Sequence, residues 1–418
     1  MPAHPGFLRR AALTVAEFIR DQTIAQVDFL AKLVKFPSDN PPGDCAAHAE
    51  CAARLIEALG FAVERYPVPD EMVRAHGMVS VTNLIVRQVF GAGGPTIALN
   101  AHGDVVPPGT GWTHDPYGAE VVDGWMYGRG VAVSKSDFAT YLWAMLALRQ
   151  SGAALNGTVE LHLTYDEETG GQIGPLWLLD QGISRPDLAI GAGFSYGVTH
   201  AHNGCLHLEV EVTGRSAHAA KPFSGVDALE ATTAVLAALY ASRDGLSALV
   251  SKIPGIGSPQ LTIGLIEGGI NTNVVPDRVV FRMDRRIVPE ENAAEVEAGL
   301  RRRMEQSAAA VPGATLKVTR ILLAEPLVPL PGAARLSALL CGHASRIFGE
   351  PITAGGVPLY TDARHYAARG VPIVLYGAGP LSIELANAHR ADERLFLADL
   401  PRATEVVAST LIDLLTGG

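Results

Sequence analysis

The chain has 418 residues, 48% hydrophobic and 18% charged, with 33 Lys and Arg against 43 Asp and Glu, a formal net charge of −10. That apolar share supplies a large core and excludes a disordered or fibrous chain, while the acidic balance excludes the basic footprint of a nucleic-acid binder and the polybasic patch of a membrane-surface protein. Four cysteines, Cys45, Cys51, Cys205 and Cys341, form no CxxC pair, so neither a disulfide framework nor a cysteine zinc site is expected, and the compartment reads as reducing.

In chain order, residues 1–35 carry Arg9, Arg10 and Arg20 among apolar residues. Glu17, Arg20 and Asp21 interrupt any compact apolar region, so the segment reads as a surface helix and not as an export signal. No apolar run reaches the roughly 20 residues of a membrane span, and a cytoplasmic protein is expected. Over 45–59, CAAHAECAARLIEAL has helical spacing and stops at Gly60. FAVERY, VTNLIVRQV and PTIALNAHGDVV follow as strands, the last a buried run whose end turns polar. A helix over 138–148 and the strands TVELHLTYDEE and PDLAIGAGFS continue an alternation that predicts an α/β sheet with helices on both faces.

The middle of the chain changes period. HLEVEVTG, LTIGLIEGG and DRVVFRMDRRI alternate, and ALEATTAVLAALYAS and AAEVEAGLRRRMEQS are helical, the pattern of an antiparallel sheet covered on one face. The expected division is 1–205, an inserted domain over 206–321, and 322–418, the outer parts completing one sheet through runs such as VPIVLYGAG.

Open α/β sheets bind ligands outside the carboxyl ends of their strands, and four predicted strand ends carry polar or small residues. His102 and Asp104 form a His-x-Asp, in which the acid can orient the imidazole as carboxylates behind metal-bound histidines do. Asp166, Glu167, Glu168 and Thr169 close the next strand; adjacent glutamates face different ways, so one can hold a metal while its neighbour handles a proton. Ala192 to Ser195 end the third, and Gly377 and Gly379, which can let backbone approach a ligand, lead to His389. Singly, each cluster is as readily a polar loop or a solvated surface. Their conjunction at strand ends carries the inference.

The blocks PSDNPPGD (37–44), NAHGDVVPPGTGWTHDPYGAE (100–120), YGRG (127–130), TYDEETGG (164–171), GRSAHAAKP (214–222), GGINTNVVPDRV (268–279) and DRRIVPEE (284–291) stand in this order. Together they resemble the family of acetylornithine deacetylase, succinyl-diaminopimelate desuccinylase, aminoacylase and carboxypeptidase G, over essentially the whole chain. The resemblance implies a zinc-exopeptidase-like, mixed-sheet catalytic domain with an inserted, ferredoxin-like α+β domain that serves as lid and dimerisation surface. It implies hydrolysis of an amide in a small carboxylate-bearing substrate such as an N-acyl amino acid or dipeptide, by a homodimer.

By the same resemblance, His102, Glu168 and His389 are metal ligands, Asp104 orients His102, and Glu167 is the general base. His218 stabilises the oxyanion, often from the partner subunit, and Asn273 and Arg286 contact substrate; Gly377 joins the substrate-binding residues only as a place where backbone can approach the ligand. Two positions depart from the family pattern. A bridging Asp belongs in Gly-Arg-Gly-x-x-Asp-x-Lys, where GRGVAVSK places Val133, and Ala192 stands where a further acid should end the strand PDLAIG. Asp187 is about 16 Å from Ala192 along a strand, and Asp137, ~6 Å past Val133 if the helix has begun, is a poor substitute. His200 and His202 read as hinge or surface residues, and Arg282, Asp284 and Arg286 are equally readable as a surface ion-pair stripe.

Zinc needs at least three protein ligands, and a shared carboxylate is what lets two ions approach. The expectation is therefore one divalent ion, zinc or another, or none, rather than two. Three functions fit these residues: an amide hydrolase with one ion, a metal-independent enzyme in which Glu167 carries a proton, and a binding protein without turnover.

Overall fold

The structure is a computed structural model in which residues 13–417 are described. Arg9 and Arg10 of the expected N-terminal helix lie outside them. The rest of that segment forms the helix Val15–Val34, started by a capping box in which Thr14 and Glu17 bond each other's backbone N–H. Phe29, Leu30, Leu33 and Val34 are buried, so this helix faces the core along one side. Among the described residues no helix is long and apolar enough to cross a membrane.

The large sheet runs in the order Glu64–Pro67, Thr82–Gly91, Gly157–Thr164, Thr96–His102, Leu188–Gly191, Ile373–Leu375, Val198–His202, Ala354–Val357. Its centre is parallel: Thr96–His102 lies between Gly157–Thr164 and Leu188–Gly191, and the latter pairs with Ile373–Leu375. One flank is antiparallel. Central parallel strands are covered on both faces, which is why TIALNAH and TVELHLT read as continuous runs without alternation. The register pairs His102 with Thr164, Asn100 with Gly191, and Gly191 with Leu375. Four strands thus end side by side, and the residues after each one emerge at a single edge of the sheet.

The helix Lys135–Gln150 starts three residues before the predicted 138, because its polar first turn is buried: Lys135 Nζ donates to the carbonyls of Leu33 and Phe36, and Asp137 accepts from Ala378 N–H. The helix is buried on nearly all sides, as expected for an element inside the core.

The chain divides into two compact units: the described residues up to His200 with Pro329–Ala354 and those from His365 onward, and Ala201–Val328 with Gly355–Arg364. Cys205 pairs with Arg286 and with Ala324 in one sheet, so a boundary at 205/206 or 321/322 would cut strands that belong to the inserted unit. That unit carries an antiparallel sheet in the order Gln260–Gly268, Arg278–Ile287, Gly204–Thr213, Thr315–Ala324. Leu206, Leu208, Val210 and Val212, with Val279, Phe281 and Met283, pack on residues of the helices Ala228–Asp244 and Ala293–Ala308. Cys205, His207, Glu209 and Glu211 therefore face the other side of the sheet. His202, expected at a hinge or on the surface, is fully buried; its Nδ1 lies 2.9 Å from Asn203 O, and burial pushes its pKa down to about 3, so it is a neutral core residue.

Candidate active site

The site at the strand ends is organised around Asp104, which is fully buried. Its Oδ2 accepts from Asn40 Nδ2 at 2.9 Å and from the backbone N–H of Glu168 at 3.1 Å. Its Oδ1 accepts from the N–H of Glu167 at 3.3 Å and lies 3.4 Å from His102 Nδ1, which is also 2.9 Å from the Asp104 carbonyl. One carboxylate thereby positions both the imidazole and the 3-10 turn Glu167–Thr169, which closes on Gly170 at φ +112°, a conformation that favours glycine. With Nδ1 engaged, the Nε2 edge of His102 faces the acids, 4.0 Å from Glu167 Oε2. Burial opposes charge on His102, but the Asp104 hydrogen bond and the charges of Glu167, Asp104 and Glu168 outweigh it and hold the imidazole well above its ordinary range. The pocket draws positive charge.

Glu168, nearly buried, has Oε1 3.4 Å from Nε2 of the exposed His389, and this contact raises the His389 pKa. His389 sits in the left-handed region at φ +61°. Its loop is anchored by two acids that follow it in the chain, Asp392 and Glu393. Asp392 accepts from the N–H groups of Thr113 and His114 and from the Thr113 hydroxyl. Glu393 is buried against Arg129 at 2.7 Å and accepts from the N–H groups of Ala132 and Val133 at 3.1 and 3.4 Å. Arg129 and Glu393 are too far apart in the chain for sequence to pair them.

Among the described residues, the donor atoms in this pocket that lie within 4.8 Å of one another are those of His102, Glu167 and Glu168. His389 adjoins that group at Glu168. The expected trio of His102, Glu168 and His389 is thus gathered around Glu168, and Glu167 stands within the same donor group. Val133 and Ala192 are half-buried and pack on the large core, bringing no acid to the places where the resemblance expects one. Ser134 Oγ, next to Val133, exchanges 2.9 Å hydrogen bonds with the His102 backbone and ties this loop to the strand end. Asp187 Oδ2 accepts from Thr96 N–H, at the far end of the neighbouring strand.

Asp137 turns elsewhere. Its carboxyl accepts from the N–H of Ala378 at 2.9 Å and from that of Gly193, and it fills the space that a Cβ on Gly377 would need. Gly377 is buried and glycine there makes room for Asp137, not for a ligand. Burial pushes Asp137 up to about 8, against the pull of the two N–H bonds. A carboxyl whose folded pKa lies above its ordinary value of 3.8 holds its proton more tightly when folded, so its stabilisation is complete below that value and is lost as pH rises through the folded pKa. The urea midpoint of the wild type is therefore expected to fall more steeply between pH 5 and 8.5 than that of Asp137→Asn; parallel slopes would show that Asp137 does not titrate in this window.

In the inserted unit, His218 and Asn273 are neighbours. Ala219 N–H donates to Asn273 O at 2.9 Å, and both residues line an open pocket with Ser216, Ala217 and Val274. His218 Nδ1 accepts from Ala220 N–H at 3.1 Å, so the neutral ring carries its proton on Nε2. Arg286 lies apart from that pair: its Nε donates to Asp284 Oδ1 at 3.0 Å, beside the pairs Arg282–Glu209 and Arg278–Glu211, which is the ion-pair stripe.

A mixed α/β sheet whose strand ends present an imidazole backed by a buried carboxylate, with two adjacent glutamates, is an arrangement that can hold a divalent cation and handle a proton. Residues 98–413 match peptidase family M20/M25/M40, and the chain belongs to that family of amide-bond hydrolases. Succinyl-diaminopimelate desuccinylase of Rhizorhabdus wittichii is 29% identical over 404 residues, 92% of this chain and 96% of that protein. Acetylornithine deacetylase of Proteus mirabilis is 29% identical over 363 residues, 86% of this chain and 87% of the other. Among solved structures, the Bacillus subtilis YXEP protein, described as a dinuclear metal binding peptidase of the M20 family, shares the fold with a TM-score of 0.69 at 18% identity, over 95% of this chain and 99% of that one.

Proposed function

We propose that this chain hydrolyses the amide bond of a small carboxylate-bearing substrate, an N-acyl amino acid or dipeptide, at a centre that takes one divalent ion. The observation that carries the reading is Asp104: a buried carboxylate that bonds the backbone of both glutamates and abuts His102 is an orienting device, which a pocket without chemistry does not need. Imidazole and carboxylate donors within 4.8 Å of one another suit a zinc-like cation. His102 and Glu168 would hold it, with His389 adjoining, whereas Val133 and Ala192 offer nothing to a second. A bound divalent ion polarises the scissile carbonyl and acidifies water.

The chain's own residues supply the rest. Glu167, with its side chain 19% exposed, takes a proton from the attacking water and delivers it to the leaving amine nitrogen. His218 offers its Nε2–H to the developing oxyanion, and Asn273 contacts the substrate beside it. The inserted unit acts as lid and homodimer surface, with His218 serving the partner's site. Four free cysteines accord with a reducing, cytoplasmic setting.

Metal analysis of Cys205→Ser protein, in which the inserted unit's thiol is removed, is expected to find about one tightly held equivalent. Chelation should abolish turnover of N-acyl amino acids, and zinc, manganese or cobalt should restore it. Two equivalents, or turnover indifferent to chelator, overturns the reading.

A further inference from the structure

We propose that the inserted unit holds a second, separate metal site formed by Cys205, His207 and Asp284, selective for a thiolate-seeking divalent cation of the zinc type. The inference does not depend on the amide-hydrolase reading. Cys205 and His207 are two apart on the strand Gly204–Thr213 and share a face; Asp284, on the neighbouring strand Arg278–Ile287, is the direct register partner of His207. Cys205 Sγ lies 3.1 Å from His207 Nε2 and 3.6 Å from Asp284 Oδ2, and those two atoms are 2.8 Å apart. Three donors of three chemical types converge from rigid, paired strands.

The spacing matches a metal polyhedron. A tetrahedron built on usual zinc–sulfur and zinc–nitrogen or –oxygen lengths has edges of about 3.3–3.6 Å, so the Cys205–Asp284 edge already fits and an ion enters by widening the two edges at His207 by about half an ångström each. Asp284 is held ready for this, since Arg286 Nε engages its other oxygen at 3.0 Å and leaves Oδ2 to the cluster. The stripe itself shows that this end is different. Farther along the same face Arg282 meets Glu209 and Arg278 meets Glu211, but the register partner of Arg286 is Cys205, and its guanidinium turns along its own strand instead. Cys205 is buried while the side chains of His207 and Asp284 are 36% and 27% exposed, so a fourth position opens toward solvent for water or an anionic ligand.

Cysteine discriminates among cations, favouring zinc-like ions over magnesium, calcium or manganese.

Cobalt(II) titration of the purified full-length protein tests the site, because thiolate-to-cobalt charge transfer absorbs in the near ultraviolet and the His102, Glu167, Glu168 and His389 donors contain no sulfur. Wild type, Glu168→Gln and Cys45→Ser are each expected to develop the band at a stoichiometry of one. Cys205→Ser should lose it, and His207→Ala and Asp284→Asn should weaken cobalt binding by at least about tenfold. If Cys205→Ser does not fold, the other two variants decide. No band in the wild type, a band that survives in folded Cys205→Ser, or unchanged affinity in both His207→Ala and Asp284→Asn would show that the trio is a hydrogen-bonded network and overturn the proposal.

Discussion

Glu167→Gln is expected to lower kcat for N-acyl amino acid hydrolysis by about 10²–10⁴-fold, the range for loss of a positioned general base, while leaving metal content unchanged. Glutamine keeps the length of the side chain and the backbone N–H that Asp104 accepts, so the turn stays in place and only the capacity to take a proton is lost. Glu168→Gln provides the contrast. That side chain is 8% exposed and touches His389, so neutralising it should lower cation affinity and activity together. Parallel metal analysis and steady-state kinetics on the two variants separate the roles. Should Glu167→Gln shed its ion as readily as Glu168→Gln, Glu167 is a ligand, which the closeness of His102, Glu167 and Glu168 would permit.

Restoring both missing acids, Val133→Asp with Ala192→Glu, should raise metal content from about one to about two equivalents in the Cys205→Ser background, since a bridging carboxylate offsets the repulsion of ions about 3.5–4 Å apart. The backbone is prepared at one position: Ala192 N–H donates to Asn100 O at 2.8 Å, fixing the strand end from which a new side chain would project. At the other, the Val133 N–H lies 3.4 Å from Glu393, a buried carboxyl whose pKa is already raised by burial. A new aspartate there meets like charge, so Val133→Asp alone should melt lower than wild type and recover on adding zinc. Thermal melts with and without zinc, read beside the metal count, check both statements. An unchanged count in a folded double variant would mean that the ligand positions lie elsewhere.

Much of this site was legible because parallel strands announce themselves. Continuous apolar runs in TIALNAH and TVELHLT break into polar residues at their ends, and adjacent strands in register bring those ends together, so His102, Asp104, Glu167 and Glu168 could be named before any coordinates existed. The ties that fix them were not. Asp104 works through backbone N–H groups, which every residue has and no sequence pattern marks. Arg129 with Glu393, and Asp137 with Ala378, join residues whose proximity only the folded chain decides. Gly377 misled for the same reason, since the side chain filling its empty space comes from a distant helix. The Cys205, His207 and Asp284 cluster depends on the register of two strands some 80 residues apart, and counting cysteines for CxxC pairs could not find it.

The shared anchor at Asp104 also bears on how the pocket would take up and release a cation. Because an acid and amide groups of the chain itself set the imidazole and the glutamate turn, emptying the pocket leaves its donors standing where the next ion will need them. Stripping and refilling should proceed without refolding, and one preparation could be loaded with different cations in turn and compared on a constant scaffold.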